Sequence, residues 1–228
     1  MGGLLLHPRR QDEQAADDGE HDDDEDDDAT HGGAFADAGQ RCIALGVDEL
    51  AKRLGRPIVL VGLMGVGKST IGRRLATRLD LPFVDSDAAI EDASGFSAAE
   101  VFERFGEADF RDGERRLVAR LIDGETRVIA TGGGAFVDPR TRELLNQRSI
   151  TVWLDAPVDV LTERTGRRDT RPLLRDGDAK ATLAKLSEQR RPAYQEAHIH
   201  IKSGLGAHRD VVDAIIRALV DFLDRPAG

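Results

Sequence analysis

Short apolar runs alternate along the chain with longer segments in which apolar residues recur every three or four positions. The first run, residues 58–61, contains no polar residue, as expected of a parallel strand that is buried on both faces of a sheet. After it, Ile71, Leu75 and Leu79 fall on one side of a predicted helix. The same reasoning predicts strands at residues 58–61, 81–87, 128–131, 149–154 and 198–202.

Helix-start signals lie between these strands. Ser97 and Glu100 form a capping-box pattern, and Asp138 precedes a proline at the first helical position. Strands that alternate with helices predict an α/β fold, a three-layer sandwich around a five-stranded parallel sheet. The other predicted helices lie at residues 47–54 and 211–223, from Pro157 onward, after residue 114, and up to about residue 191.

Charge divides the 228 residues into two parts. Residues 1–40 hold 13 acidic residues and two arginines, whereas the rest of the chain has 29 acidic and 30 basic residues. Within this part, residues 11–33 are strongly acidic and contain no large apolar residue, and such a segment repels itself and buries nothing. We therefore predict a disordered extension at residues 1–40, a linker with a short lead-in helix at 41–56, and a folded domain at 57–228.

The folded domain has no basic surplus that would suggest nucleic acid as a partner. No apolar run reaches the length needed to cross a membrane. The chain has one cysteine, Cys42, so it cannot form an internal disulfide, and this favours a reducing compartment. We expect a cytoplasmic protein, and a monomer.

Residues 62–69 have the glycine and lysine spacing of a phosphate-binding loop, between the first strand and its helix. In such loops glycines let consecutive backbone N–H groups turn toward a phosphate, and the helix N-terminus adds its dipole. Lys68 would face the β- and γ-phosphates, and Ser69 would ligate Mg²⁺. A glycine-rich turn with an exposed lysine is the weaker alternative. The predicted nucleotide-binding residues here are Gly65, Val66, Gly67, Lys68, Ser69 and Thr70.

Two further strand ends carry residues suited to a ligand, and ligands collect at the carboxyl ends of parallel strands. Alternation along a strand that ends at residue 87 would point Asp85 and Asp87 the same way, one near a metal and one near a substrate hydroxyl. Helix capping is the alternative for this pair. The run 132–134 is three glycines, which indicates either close backbone approach to a ligand or a special turn.

Arginines dominate the polar segment 164–178, which we predict to be a mobile loop. In phosphoryl transfer such a loop can bring arginines over the phosphates and offset transition-state charge. A solvated surface is the alternative, and it is also the favoured interpretation of Arg111 taken alone. The arginines of the segment are Arg164, Arg167, Arg168, Arg171 and Arg175.

In combination, these motifs resemble the shikimate kinase family over residues 57–203. The resemblance implies a nucleoside monophosphate kinase-like P-loop fold with a mobile lid at about 164–178. It also implies that the chain transfers a phosphoryl group from ATP to the 3-hydroxyl of shikimate, with Mg²⁺, in aromatic amino-acid biosynthesis. Besides the phosphate loop it rests on Asp85-Ser86-Asp87, Phe110-Arg111 with Glu114, Thr131-Gly132-Gly133-Gly134, Arg164-Thr165-Gly166, Arg171-Pro172-Leu173-Leu174, and Arg190 followed by Pro192 and Tyr194.

The resemblance also implies individual roles. The shikimate-binding residues would be Asp87, Arg111, Gly133 and Arg190. The implied catalytic residues are Lys68, Asp87 and Arg171.

On the nucleotide side, the resemblance implies that Arg171 lies in the lid over ATP and that Arg164 lies near the adenine. Ser69 would bind Mg²⁺ directly, and Asp85 would bind it through water. The chain departs from the family in its acidic extension and in residues 203–207, which lack an arginine that some members place near the adenine.

Three other functions are alternatives to shikimate phosphorylation. A gluconate or nucleotide kinase would use the same fold, but a nucleotide acceptor favours aromatic stacking residues, which make up 4% of the chain. A regulatory GTPase would need an Asn-Lys-x-Asp motif, which the sequence lacks. An inactive phosphate-loop scaffold would have no need of Lys68, Ser69 and Asp87 together.

Overall fold

The computed structural model describes residues 47–166, 178–204 and 206–225, so the predicted acidic extension lies outside the described residues. The strands are β1 (Ile58–Val61), β2 (Phe83–Asp85), β3 (Val128–Ala130), β4 (Ile150–Asp155) and β5 (Ile199–Lys202). The helices are α1 (Val47–Leu54), α2 (Lys68–Leu79), α3 (Ser86–Ser94), α4 (Ala98–Ile122), α5 (Pro139–Arg148), α6 (Val158–Gly166), α7 (Ala179–Tyr194) and α8 (His208–Leu223).

The strands form one parallel five-stranded sheet in the order β2-β3-β1-β4-β5. Every residue of β1 and β3 is buried, as are the first five of β4. Consecutive side chains of a strand point to opposite faces, so the central strands are covered on both sides. In β5, at the edge, burial alternates from Ile199 to Lys202, so one face is open. The predicted α/β fold with five parallel strands is confirmed.

Helix caps lie where the sequence predicts them. Ser97 and Glu100 complete a capping box at the start of α4, and the Asp138 side chain accepts from the Thr141 N–H at the start of α5. The lead-in helix α1 also has its predicted bounds. These local signals hold because each cap satisfies backbone donors that a helix start leaves unpaired.

Two predicted boundaries are wrong. The second strand ends at Asp85, and Ser86 already begins α3, because an Asp85 carboxylate oxygen accepts from the Asp87 N–H at 3.0 Å. Strand alternation therefore does not relate Asp85 to Asp87. One carboxylate oxygen of Asp85 caps α3, and the other accepts from the Ser69 hydroxyl. Residues 110–114, expected before a helix, lie inside α4, which has non-helical backbone at Gly106 (φ 79°, ψ 171°).

Two groups of buried apolar residues stabilise this arrangement. The larger one contains the sheet and the inner faces of most helices. The smaller one joins α3 to α4 through Ile90, Phe110 and Leu117. Because Phe110 precedes Arg111, this packing fixes where Arg111 leaves the helix. Within the described ranges, no helix is long and apolar enough to cross a membrane.

Candidate active site

Glycines shape the loop that joins β1 to α2. Gly65 and Gly67 have φ values of 80° and 94°, which residues with a side chain rarely adopt. A Cβ atom at Gly62 would overlap the carbonyl oxygen of Leu154 in β4. Gly67 caps α2 without a side-chain hydrogen bond. The first N–H groups of α2 therefore remain available to an anion, as a phosphate loop requires.

Lys68 folds back over this loop. Its Nζ donates to the carbonyl oxygens of Gly62 at 2.8 Å and Leu63 at 3.0 Å. The side chain is half-buried, so the alternative of a turn with an exposed lysine does not describe it. The ammonium group lies at the mouth of the loop, where it can exchange carbonyl oxygens for phosphate oxygens.

Ser69 and Asp85 form a pair beside the loop. The Ser69 hydroxyl donates to an Asp85 carboxylate oxygen at 2.6 Å. Mg²⁺ is commonly held by one or two protein oxygens while phosphates and waters complete its octahedron, and this pair fits that requirement. Among the residues that the structure describes, no group of three or more His, Cys, Asp or Glu side chains could hold a metal by itself.

The Asp87 side chain reaches the end of β3 from the first turn of α3. A Cβ atom at Gly132 would lie 2.7 Å from an Asp87 carboxylate oxygen and 3.2 Å from one of Glu114. The Gly132 N–H donates to the Ser86 hydroxyl at 3.1 Å. Glycine is thus required at Gly132 so that two carboxylates can approach the strand end.

Arg111 is paired with Glu114, a residue of the family motif to which the sequence reasoning gave no role. Arg111 Nη1 donates to a Glu114 carboxylate oxygen at 2.6 Å, and the Glu114 side chain is 1% exposed. Burial raises the pKa of Glu114, and Arg111, which acts to lower it, does not fully offset this. The guanidinium also lies against Gly134, where a Cβ atom would overlap it. The i, i+3 spacing on one helix is the signal that could have revealed this pair.

Arg190 meets the middle of the glycine run from α7. Its Nη1 donates to the Gly133 carbonyl oxygen at 3.0 Å. Tyr194, which was not predicted as a site residue, donates its hydroxyl to the same oxygen at 2.5 Å. Gly133 in turn adjoins the phosphate loop, since a Cβ atom there would lie 3.4 Å from the Met64 nitrogen and 3.6 Å from the Gly62 oxygen.

Arg164, at the end of α6, bridges two loops. It donates to the Val66 carbonyl oxygen at 3.4 Å and to that of Gly204 at 3.0 Å. His208 lies on the same side of the phosphate loop, with Nε2 3.9 Å from a Cβ atom built at Gly67. Burial and the charges of Arg74 and Arg164 lower the pKa of His208. A neutral imidazole and a guanidinium therefore border the loop here.

The described predicted residues come together around the carboxyl ends of β1, β2 and β3. Lys68 and Ser69 lie on the phosphate-loop side, and Asp87, Arg111 and Arg190 surround the glycine run. Arg171 and the centre of the predicted lid lie outside the described residues. The geometry places a cluster of two arginines and a carboxylate beside an anion-binding loop, an arrangement that can bring a phosphate donor and an anionic acceptor together.

Comparisons with known proteins agree with this geometry. The family model described as shikimate kinase matches residues 64–220. A shikimate kinase of Novosphingobium aromaticivorans is 49% identical over 181 residues, which cover 78% of this chain and 94% of that protein. A shikimate kinase of Paramagnetospirillum magneticum is 52% identical over 184 residues, with the same coverages of 78% and 94%.

A solved structure is similar as well. It is a shikimate kinase from Acinetobacter baumannii in complex with shikimate, and it superposes with a TM-score of 0.71 at 39% sequence identity. The match covers 75% of this chain and 97% of that one. Similarity therefore extends over nearly the whole length of the relatives.

Proposed function

Because the chain belongs to the shikimate kinase family, we propose that it transfers the γ-phosphoryl group of ATP to the 3-hydroxyl of shikimate. The products are shikimate 3-phosphate and ADP. The observation that carries the proposal is that Asp87, Arg111 and Arg190 gather at the glycine run, beside a complete phosphate loop. Shikimate has one carboxylate and three hydroxyls, which suits two guanidinium groups and one carboxylate.

Arg111 and Arg190 bind the carboxylate of shikimate in this proposal. A planar guanidinium can form two parallel charged hydrogen bonds with a carboxylate. Arg190 uses one N–H on Gly133, and a guanidinium has five, so donors remain for the substrate. Glu114 holds Arg111 by a hydrogen bond at 2.6 Å and so fixes its direction.

Asp87 orients the attacking hydroxyl. Its carboxylate lies beside Gly132, where a Cβ atom would be 2.7 Å away, and a carboxylate is an acceptor for hydroxyl protons. Asp87 accepts the proton of the 3-hydroxyl as the oxygen bonds to the γ-phosphorus, while the bond from that phosphorus to the bridging oxygen breaks and ADP leaves. Alignment of the acceptor with the γ-phosphorus supplies much of the rate enhancement.

Lys68 and the N–H groups of residues 65–70 bind the phosphates of ATP. Lys68 leaves the Gly62 and Leu63 carbonyls and offsets charge that develops on the transferring group. Ser69 directly, and Asp85 through water, would hold Mg²⁺, which neutralises phosphate charge when bound. We assign Arg164 to the adenine side because it borders the loop at Val66, and Arg171 to the phosphates.

The test is an ADP-release assay with a panel of acceptors: shikimate, gluconate and nucleoside monophosphates. Among these acceptors, we expect only shikimate to raise ADP release above the ATPase background. NMR of the product should place the phosphate on the 3-oxygen. Preferential turnover of gluconate or a nucleotide would contradict the proposal.

We further propose that the enzyme acts as a cytoplasmic monomer in aromatic amino-acid biosynthesis. The single cysteine and the near-neutral folded domain support this setting. Light scattering at working concentration measures the mass directly, and a value close to 24.8 kDa is expected.

A further inference from the structure

The carbonyl oxygen of Gly133 accepts two hydrogen bonds from one helix. The Tyr194 hydroxyl donates to it at 2.5 Å and Arg190 Nη1 at 3.0 Å. The two residues are four apart on α7, so their side chains lie one turn apart on the same face. Each therefore contacts the same peptide of the glycine run.

This peptide belongs to a segment in which the neighbouring carbonyl oxygens, those of Gly132 and Gly134, have backbone partners. Gly133 lies in a run of three glycines, the residue type that loses most conformational freedom on folding. Backbone hydrogen bonds fix the neighbours, from the Ala135 N–H to the Gly132 oxygen at 3.2 Å and from the Val137 N–H to the Gly134 oxygen at 3.0 Å. Neither of these bonds uses the Gly133 carbonyl oxygen, which accepts from α7 instead.

Tyr194 is the more firmly held of the two donors. It is 2% exposed, and its ring stacks on Trp153 with centroids 5.9 Å apart. Burial raises the pKa of its phenol to about 12, so the hydroxyl keeps its proton throughout the working pH range. Arg190, by contrast, is half-buried and carries a charge that an anionic ligand attracts.

We propose that Tyr194 is a positioning residue for the acceptor substrate, because its hydroxyl fixes the Gly133 peptide against which Arg190 is oriented. The inference rests on the proposed function, since it names the carboxylate of shikimate as the group that Arg190 binds. When Arg190 also donates hydrogen bonds to that carboxylate, the hydrogen bond from Tyr194 still holds the Gly133 peptide in place. Nucleotide binding should depend on it less, because Lys68 donates to carbonyl oxygens of the phosphate loop and Ser69 donates to Asp85.

Tyr194→Phe tests this, because it removes the hydroxyl and keeps the ring that packs on Trp153. We expect the KM for shikimate to rise about tenfold, the size of effect that loss of a buried hydrogen bond produces. The KM for ATP should stay within about twofold, and kcat should fall less than the shikimate KM rises.

Ser149→Ala is the matched control. Its hydroxyl is also buried and also donates to a backbone carbonyl, that of Leu145 at 2.6 Å, but Ser149 precedes β4 at the opposite end of the sheet. Comparable thermal destabilisation of both variants, with a change of shikimate KM in Tyr194→Phe only, supports the inference. An equal change of shikimate KM in both variants, or a parallel rise of both KM values in Tyr194→Phe, overturns it.

Hydrogen exchange in the protein without ligands supplies a second measurement. We expect faster exchange over residues 132–137 in Tyr194→Phe than in Ser149→Ala, and unchanged exchange there overturns the inference. Failure of the two proposals is distinguishable. Wild-type protein that does not phosphorylate shikimate overturns both, whereas an active wild type with an unaffected Tyr194→Phe variant overturns only this one.

Discussion

At the scale of single residues, we propose that Lys68 exchanges its carbonyl partners for phosphate oxygens when ATP binds. We expect Lys68→Ala to lower kcat by about a hundredfold or more, because a preorganised charge on the transferring phosphoryl group is lost. The fold should survive, since Lys68 belongs to neither group of buried apolar residues. Steady-state kinetics and circular dichroism measure the two effects.

Lys185→Ala is the control for Lys68→Ala, because Lys185 is an exposed lysine on α7 outside the site. It should leave kcat unchanged. Near-normal turnover in folded Lys68→Ala protein would contradict the assignment of the phosphate loop.

Arg111 and Arg190 are both assigned to the shikimate carboxylate, but their alanine variants should differ in stability. Each alanine variant should weaken shikimate binding by about 2–5 kcal/mol and ATP binding far less, as calorimetry of both ligands will measure. Only Arg111→Ala strips a buried carboxylate, Glu114, of its cation. An equal loss of ATP affinity would contradict the assignment of these arginines to the shikimate carboxylate.

The pH dependence of stability separates the two variants. The folded-state pKa of Glu114 is already raised, and without Arg111 it rises further. The folded protein then binds a proton more tightly than the unfolded chain, so stability falls as pH increases above the ordinary glutamate value. Denaturant unfolding of Arg111→Ala should show this fall, and adding Glu114→Gln should abolish it. Arg190→Ala, whose lost hydrogen bond is to a neutral carbonyl, should show no steeper fall than the wild type.

At the scale of an element, α5 is stabilised by the cap residue that precedes it, Asp138. Asp138 accepts from the Thr141 N–H at 2.8 Å and from its hydroxyl at 2.9 Å. Burial acts to raise the pKa of Asp138, but these hydrogen bonds and the charges of Arg115 and Arg111 outweigh it and hold the pKa below its ordinary value. Asp138→Ala should therefore lower the free energy of unfolding by about 1 kcal/mol at neutral pH.

The sign of the pH effect follows from the lowered pKa of Asp138. The ionised cap contributes fully above the ordinary aspartate value of 3.8 and is lost as pH falls through the lowered folded-state value. Chemical denaturation at neutral and acid pH should show the gap between wild type and Asp138→Ala narrowing in acid. A gap that widens in acid would contradict this account of the cap.

At the scale of the whole molecule, we propose that the acidic extension is dispensable for chemistry. Residues 1–40 end before α1 and before the strand that leads into the phosphate loop. Their negative charge repels ATP and shikimate weakly, because screening at physiological salt has a length of about 8 Å. Deletion of 1–40 should leave kcat unchanged and slightly lower both KM values, more so at low salt. Steady-state kinetics at two ionic strengths make the comparison, and lost activity in a folded truncated protein would place the extension in the site.

How far the sequence predicts this molecule depends on the range of each interaction. The strand 58–61, the phosphate loop and the caps at Ser97 and Asp138 were predictable because their causes lie within a few residues. The end of β2 was not predictable, because the pattern of residues 81–87 also fits a longer strand. Only the structure shows that Asp85 caps α3.

The contacts that assemble the site come from residues far apart in the chain. Tyr194 meets Gly133 across 61 positions, and Arg164 meets Val66 across 98. No local pattern encodes such pairs. Family resemblance singled out Arg190 and Gly133, but the common acceptor that they share with Tyr194 is visible only in the folded chain.

The packing around Trp153 has a consequence for spectroscopy. This residue is the single tryptophan of the chain, it is 4% exposed, and it stacks between His200, at 4.0 Å, and Tyr194 of α7. Indole emission responds to the polarity and charge of adjacent groups, so its intensity and wavelength depend on how α7 lies against β4. The same helix carries Arg190. We therefore expect the intrinsic tryptophan fluorescence of the unmodified protein to change when a ligand binds Arg190, which would follow binding in real time without a label.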